Sequence, residues 1–408
     1  MNILQVYDGY SKVEPESGAM AVAFQLSKHL AQAGHKVTIV ERKGDKEDPD
    51  VEYCEGIKFV RLEARKRGSS AFDVVYRFPF GLVDVVVDGF RFAAKVNRYL
   101  SKVENSFDVI HVHFPMAANV LIMLNRTLRK KMVYTFHGDV YRLNLDSQFR
   151  LPWYVRLLSP DLFLMRRVRK VVLLNDSVCS KLVSSGKIQP HKAVAIPNGI
   201  DISRFYPEVD CADIKQKYGL NNRITVLFVG VIFPRKGVEY LVKAADRLIN
   251  QLGYKGLKFL LVGRTEVDRE YVTKLQQFIK DRRLDEEVKM AGMVPFDDLR
   301  KLYAACDIFV LPSLEEACPS VVTEAMATGK PVIGTKVGGM LMQIRDGWNG
   351  FLVGPENEID LAEKIKYLID HPEGRLRMGG NSRKRAEEEF SWTKVAEKYV
   401  KVYQEVLK

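Results

Sequence analysis

Short apolar runs alternate with amphipathic stretches along this chain, in two successive series. The first series predicts buried strands at 3–7, 37–41, 109–113, 133–136, 171–174 and 193–196. The second predicts strands at 225–230, 259–263, 288–291, 308–312, 332–335 and 351–353. Strands spaced by helix-length amphipathic segments mark parallel sheets covered by helices. The fold class expected is α/β, with two Rossmann-like doubly wound domains facing a cleft. Turn residues gather from Pro197-Asn198-Gly199-Ile200-Asp201 to about Asn222. The predicted parts are therefore 1–200, 201–388 and a closing helix over 389–408. In that last stretch Trp392, Val395, Tyr399 and Tyr403 recur at helical spacing. They predict a helix that crosses back and packs on the first domain. Ligands of such sheets sit beyond the carboxyl ends of strands, which puts the expected site in the cleft.

Length and composition agree with this picture. A chain of 408 residues exceeds one ordinary core and suits two domains. No apolar run reaches the roughly 18 residues of a membrane span. The opening Met-Asn-Ile-Leu-Gln-Val-Tyr reads as a buried strand rather than a signal peptide. The five cysteines (Cys54, Cys179, Cys211, Cys306 and Cys318) are scattered, which argues against a zinc site or a disulfide framework and for a reducing cytoplasm. The net charge of +12 is uneven: 31 Lys and Arg against 21 Asp and Glu through Phe205, then 32 against 30. The excess is densest between Arg126 and Lys192. Such a half suits an anionic acceptor or an anionic membrane surface at the cytoplasmic face, and equally a solvated lysine-rich surface. Nucleic acid is not expected, because no groove-reading or RNA-binding motif is present. Amphipathic stretches at 72–100 and 152–158 read either as surface-bound helices or as core and lid helices.

The candidate chemistry lies in the second series. Glu316-Ala-Cys-Pro-Ser-Val-Val-Thr-Glu324-Ala-Met-Ala-Thr-Gly-Lys-Pro331 joins a loop carboxylate to a short helix carrying a second one. Pro319 suits a first helical position, and Gly329 the position just past the end. The first free N–H groups, near Ser320 and Val321, would favour a phosphate. Two carboxylates about 12 Å apart at 1.5 Å per residue could bind a hexose on one side and a ribose on the other. After the strand at 225–230 comes Gly230-Val-Ile-Phe-Pro-Arg235-Lys236-Gly237, a turn with two adjacent cations. Cations aimed at a leaving diphosphate stabilise the charge that develops as the glycosidic bond breaks. Lys236 is the expected direct contact and Arg235 its support.

Taken together, these segments resemble the retaining glycosyltransferases of family 4, group 1 type, with the two-domain fold called GT-B. The resemblance also includes Ser17-Gly18, Gly34-His35-Lys36-Val37, Asp108-Val-Ile-His-Val-His113, Thr135-Phe-His137-Gly-Asp139 and Phe390-Ser-Trp392. It implies that Glu316 holds donor-sugar hydroxyls, Glu324 the ribose and Lys236 the diphosphate. Ser320 and Val321 would offer backbone amides to the diphosphate, and the base would lie against backbone from Gly292 to Val294. His137 would sit over the sugar near the reacting centre, and Gly18 would let its loop approach the phosphates and acceptor. The family implies no cofactor, no metal, retention of configuration and front-face attack with the leaving phosphate assisting proton removal. The family commonly has Arg where Val231 stands, Gly-Gly for Ser17-Gly18 and Gly-Phe-Gly for Ala317-Cys318-Pro319.

The expected partners are thus a nucleotide-sugar donor, UDP- or GDP-linked, and a hydroxyl acceptor that is lipid-linked or anionic. Acceptor-side candidates are Ser17, His113 and Asp139. His111 and His113 are read as alternating on one strand, so that only one faces the site, with His113 the candidate nearer the strand end. Asp139 either binds acceptor hydroxyls or caps a turn. A nucleotide-sugar 2-epimerase and a nucleotide-sugar-binding protein without turnover are the alternative readings. A nicotinamide dehydrogenase is disfavoured because no Gly-x-Gly-x-x-Gly follows the opening strand.

Overall fold

The computed structural model describes residues 1–10, 18–45, 47–63, 80–103, 106–138 and 160–408, with backbone only at 18 and 80–86. The described chain forms two compact units, residues 1–196 with 392–408 and residues 197–391.

Unit 1 is built on an eight-stranded sheet. Its strands are β1 (Asn2–Val6), β2 (Lys36–Arg42), β3 (Val51–Cys54), β4 (Ile57–Leu62), β5 (Val109–Val112), β6 (Met132–Phe136), β7 (Lys170–Leu173) and β8 (Ala193–Ala195). They lie in the order β3-β4-β2-β1-β5-β6-β7-β8, and all pairs are parallel except β3 with β4. The hairpin β3–β4 has no counterpart in the predicted strands. Its two-residue turn is Glu55-Gly56, both at positive φ (51° and 75°). A glutamate in that conformation is uncommon, so the usual Asn-Gly or Asp-Gly signal is missing.

The closing helix, Trp392–Leu407, belongs to unit 1. Trp392, Val395, Tyr399, Val402 and Tyr403 are buried with Ile3, Phe24, Ile39 and Val133 in one apolar cluster. Full burial of such side chains is worth about 1.5–3 kcal/mol each, which fixes the helix on this sheet. The Phe80–Lys102 helix also serves the core, burying Phe92, Ala93, Val96 and Leu100. The stretch at 152–158 lies outside the described residues. Among the described residues no helix is long and apolar enough to cross a membrane.

The polar groups around His111 pair with one another. His111 is fully buried on β5, where one ring nitrogen lies 2.7 Å from Thr135 Oγ1 and the other 2.8 Å from Tyr403 OH. Tyr399 OH stands 3.2 Å from the same threonine oxygen. Burial, with the nearby His137 second, pushes the His111 pKa down to about 3.

Unit 2 is a six-stranded, all-parallel sheet. Its strands are β9 (Ile224–Val229), β10 (Leu257–Val262), β11 (Val288–Gly292), β12 (Ile308–Leu311), β13 (Val332–Thr335) and β14 (Gly350–Val353). The order β11-β10-β9-β12-β13-β14 is the 3-2-1-4-5-6 arrangement of doubly wound nucleotide-binding sheets. The winding reverses between β9 and β12, so the crevice of this unit opens where the chain leaves those two strands. Backbones cross closely just beyond: a Cβ on Gly263, at φ +142°, would stand 1.9 Å from the Gly230 carbonyl oxygen.

Two outcomes are expected. Gly263→Ala should lower unfolding free energy by about 3 kcal/mol or more, from strain plus collision. Gly253→Ala, at φ +74° with nothing within 4 Å, should cost only about 1 kcal/mol; equal costs in urea unfolding would contradict the crossing. The second concerns pH. His111 takes up a proton in the unfolded chain near pH 6.5 but in the folded chain only near pH 3. The stability present above pH 6.5 is therefore lost as pH falls toward 3, by about 1.4 kcal/mol per pH unit for each such histidine. His111→Gln should show a shallower loss between pH 6.5 and 5, and an unchanged slope would contradict the assignment.

Candidate functional site

The turn leaving β9 and the loop leaving β12 meet at the winding reversal. Pro234 opens a short turn, Pro234–Lys236, and Gly237 follows at φ +64° as the residue preceding the Val238–Asp246 helix. A Cβ at Gly237 would stand 2.0 Å from the Pro312 carbonyl oxygen, and the Leu314 N–H donates to the Arg235 carbonyl at 2.8 Å. Only glycine fits a positive φ with a backbone oxygen that close. The two loops are therefore locked side by side, which brings Lys236 to Glu316.

Lys236 Nζ lies 2.5 Å from Glu316 Oε1, and the same carboxylate oxygen accepts from Ser313 Oγ at 2.7 Å. The lysine side chain is 18% exposed and the glutamate 8%, so the pair is largely shielded from water yet reachable from one side. Partial burial of such a pair strengthens each charge's hold on the other. Arg235, beside it, is exposed.

The Glu316 loop is pinned from behind. Gly338, at φ +46°, would place a Cβ 1.6 Å from the Glu316 carbonyl oxygen, and the Gly339 N–H reaches that oxygen at 3.3 Å. Neither Ser313 nor the Gly338-Gly339 pair was among the predicted site residues. A Gly-Gly pair just after a predicted strand was the available signal.

The helix that follows runs Ser320–Ala327, with Pro319 outside it as the preceding cap residue (φ −70°, ψ 116°). The expectation of Pro319 at the first helical position is corrected by one residue. Its extended ψ lets the chain turn from loop to helix, and the Gln343 side chain holds it by donating to the Pro319 carbonyl at 2.9 Å. Among the described residues no side chain caps the start of this helix. The N–H groups of Ser320 and Val321 thus stand at a helix start with a favourable potential for an anion. Gly329 follows at φ +69°, the left-handed residue that closes the other end.

Glu324, one turn into the helix, accepts a 2.7 Å hydrogen bond from Tyr303 OH, whose ring is fully buried. Burial raises the Glu324 pKa, and hydrogen bonds from Tyr303 and Ser320 oppose the rise. Cys318, between the two glutamates, is buried; its thiol is pushed up to about 12, mainly by burial. It is no nucleophile at neutral pH. Val294 is half-buried and packs on the unit 2 core just past Gly292, which has φ +68°.

In unit 1 the histidines stand at the carboxyl ends of neighbouring strands. His113 follows β5 and His137 follows β6, with His113 Nδ1 2.9 Å from His137 Nε2. His113 Nε2 lies 2.7 Å from Gln5 Oε1. The expectation that His111 and His113 face opposite ways is wrong. Residues two apart on a strand share a face, and the two rings lie 4.2 Å apart, both buried. Burial, then the two neighbouring histidines, hold His113 well below its usual range. A neutral His113 that donates to Gln5 must accept from His137, which fixes the orientation of the His137 ring. Gly18 opens the Gly18–Gln32 helix, and Ser17 and Asp139 lie outside the described residues. Among the described residues no three His, Cys, Asp or Glu side chains are arranged to hold a metal ion.

Comparison with known proteins agrees with this α/β fold. The model of Glycosyltransferase Family 4 matches residues 17–204, and that of Glycosyl transferases group 1 matches residues 210–385. The D-inositol 3-phosphate glycosyltransferase of Pseudarthrobacter chlorophenolicus is 26% identical over 386 residues, covering 93% of this chain and 89% of that protein. Among solved structures, the sucrose-phosphate synthase of Thermosynechococcus elongatus has a TM-score of 0.78 at 23% identity, covering 99% of this chain and 98% of that one. The Anabaena protein HepE, solved in complex with UDP, has a TM-score of 0.75 at 20% identity, covering 99% of this chain and all of that one. With one family model on each half and a reversal-point site in the second, the chain belongs to the family 4 glycosyltransferases of group 1 type, which have the GT-B fold.

Proposed function

We propose that this protein is a retaining, metal-independent hexosyltransferase that moves a hexose from a UDP- or GDP-linked sugar to an acceptor hydroxyl. The observation that carries the reading is the Lys236–Glu316 pair, with Glu316 four residues ahead of the start of the Ser320–Ala327 helix. An ammonium and two peptide N–H groups suit a diphosphate, and the flanking carboxylates suit hydroxyls. Glu316 takes the donor-sugar hydroxyls and Glu324 the ribose, while the backbone from Gly292 to Val294 takes the base. Arg235 supports the diphosphate grip where the family's arginine is replaced by Val231. The bound UDP of the HepE structure supports a nucleotide-diphosphate donor.

The step balances without a protein nucleophile. The bond between the anomeric carbon and the β-phosphate oxygen breaks as the acceptor oxygen approaches from the same face. The acceptor proton passes to the departing phosphate. Lys236 and the helix N–H groups gain most when that phosphate acquires its full charge, so they favour the transition state over the bound donor. His137 is the unit 1 group assigned to the sugar. The relatives named for inositol 3-phosphate and sucrose-phosphate, together with the basic first half, support an anionic acceptor, phosphorylated or lipid-linked.

Three outcomes test the reading. Glu316→Ala and Lys236→Ala should each cut transfer by about 10²-fold or more with the fold intact; normal rates in either variant remove the assignment. A chelator should leave activity unchanged, whereas loss restored by a divalent ion contradicts the metal-free step. In a panel of nucleotide-sugars, the true donor at about 100 times its Kd should raise unfolding free energy by about 2.7 kcal/mol. A panel without any protection would leave the site without its ligand.

A further inference from the structure

The cations of unit 1 converge on one edge of its sheet. β5, β6, β7 and β8 are parallel neighbours, so the segments entering them arrive at the same edge. Arg126, Arg129 and Lys130 precede β6, Arg166, Arg167 and Arg169 precede β7, and Lys192 precedes β8. All but Lys192 of these are exposed. Lys192 Nζ bonds the Arg166 carbonyl at 2.9 Å. Burial, then the charges of Arg169 and Arg129, push its ammonium below the usual range. Like charges gathered this closely are destabilising unless something anionic lies against them.

Few acids answer them. Among the described residues from 126 to 192 the acids are Asp161 and Asp176. Asp161 is buried and accepts from Tyr134 OH at 2.5 Å. Asp176 begins the helix after β7, at the other end of the strands. On the cationic edge, Asp108 accepts the Asn2 N–H and Glu405 takes Lys170 at 2.5 Å.

Apolar groups protrude beside the same edge. The Pro115–Leu124 helix follows β5 and runs back to it, ending in Met123 (69% exposed) and Leu124 (43%) directly before Asn125 and Arg126. Phe163 is 40% exposed, with the Arg167 guanidinium 3.3 Å over its ring. A hollow of about 460 Å³ of mixed lining opens here as well, with Leu100, Phe107, Ile110 and Leu128 beside Ser101, Asn125 and Lys131. Cations alone would suit any polyanion. Aliphatic and aromatic tips among the cations suit a surface that offers anions and hydrocarbon together.

We infer that this edge of unit 1 docks on an anionic lipid bilayer, with Arg126, Arg129 and Arg166 among the headgroups and Met123 and Leu124 inserted below them. The edge is the strand-entry end, opposite the end that carries His113 and His137, and the inference does not rest on the donor chemistry. The test is sedimentation of the full chain with vesicles of phosphatidylcholine alone or with about 30 mol % phosphatidylglycerol. Binding should require the anionic lipid. Arg126→Glu/Arg129→Glu/Arg166→Glu should lower it about 10-fold or more, and Met123→Ser/Leu124→Ser by roughly threefold to tenfold. Lys255→Glu/Lys280→Glu/Lys384→Glu, an equal charge change on unit 2, should leave it intact. Donor hydrolysis should be unchanged in all three, which reads the catalytic proposal separately. Equal binding to neutral vesicles overturns the inference. So does full vesicle binding by the Met123→Ser/Leu124→Ser variant with release by heparin or DNA, which would mark a site for soluble polyanions.

Discussion

The site in unit 2 depends on backbone meeting backbone. Gly237 lies under the Pro312 carbonyl, and Gly338 lies against the Glu316 carbonyl, each at a distance no Cβ could share. These contacts fix the β9 turn to the β12 loop, and the β12 loop to the turn after β13. Lys236 and Glu316 then meet because their main chains cannot be elsewhere. Pinning a flexible lysine costs about 2 kcal/mol of rotamer entropy; here Glu316, itself held by Ser313, holds its head. Rigid main chain supporting a polar group is how a protein keeps a charge oriented before its ligand arrives.

Unit 1 uses a different device. The edge that carries His137 is backed by a chain of hydrogen bonds running from Tyr403 on the last helix through His111 to Thr135, with Gln5 and His113 leading to His137 beside it. The last helix therefore does more than cover apolar surface. It supplies a hydroxyl to the His111 Nδ1, a buried ring nitrogen whose loss of that bond would cost about 1–3 kcal/mol. Removing the helix would expose the apolar faces of β5 and β6 and disturb the polar line together.

Much of this was legible in the residues. Continuous apolar runs located the twelve predicted parallel strands to within a residue or two, because burial on both faces demands such runs. The β3–β4 hairpin escaped because Glu55 carries an unusual positive φ with no turn signature. At the site, Lys236, Glu316 and Glu324 stood out through their charge in turn-rich surroundings. Ser313 and Tyr303 did not, since a serine after a strand and a tyrosine in a helix are unremarkable until the fold brings them to a carboxylate. The pairing of His111 with His113 is simple strand periodicity, and the alternating reading misapplied it.

The mutual hold of Lys236 and Glu316 has a consequence for selection among ligands. Between turnovers each group already satisfies the other, so neither is left as a bare charge in a half-dry pocket. An incoming phosphate by itself could take the lysine only by stranding the carboxylate. A sugar alone would compete with a charged partner for the glutamate. A molecule that presents hydroxyls and phosphate at the correct separation gives both groups a replacement in one exchange. Under the proposed function the ion pair would thereby act as a coincidence detector, deaf to the fragments that abound in solution and responsive to the intact conjugate.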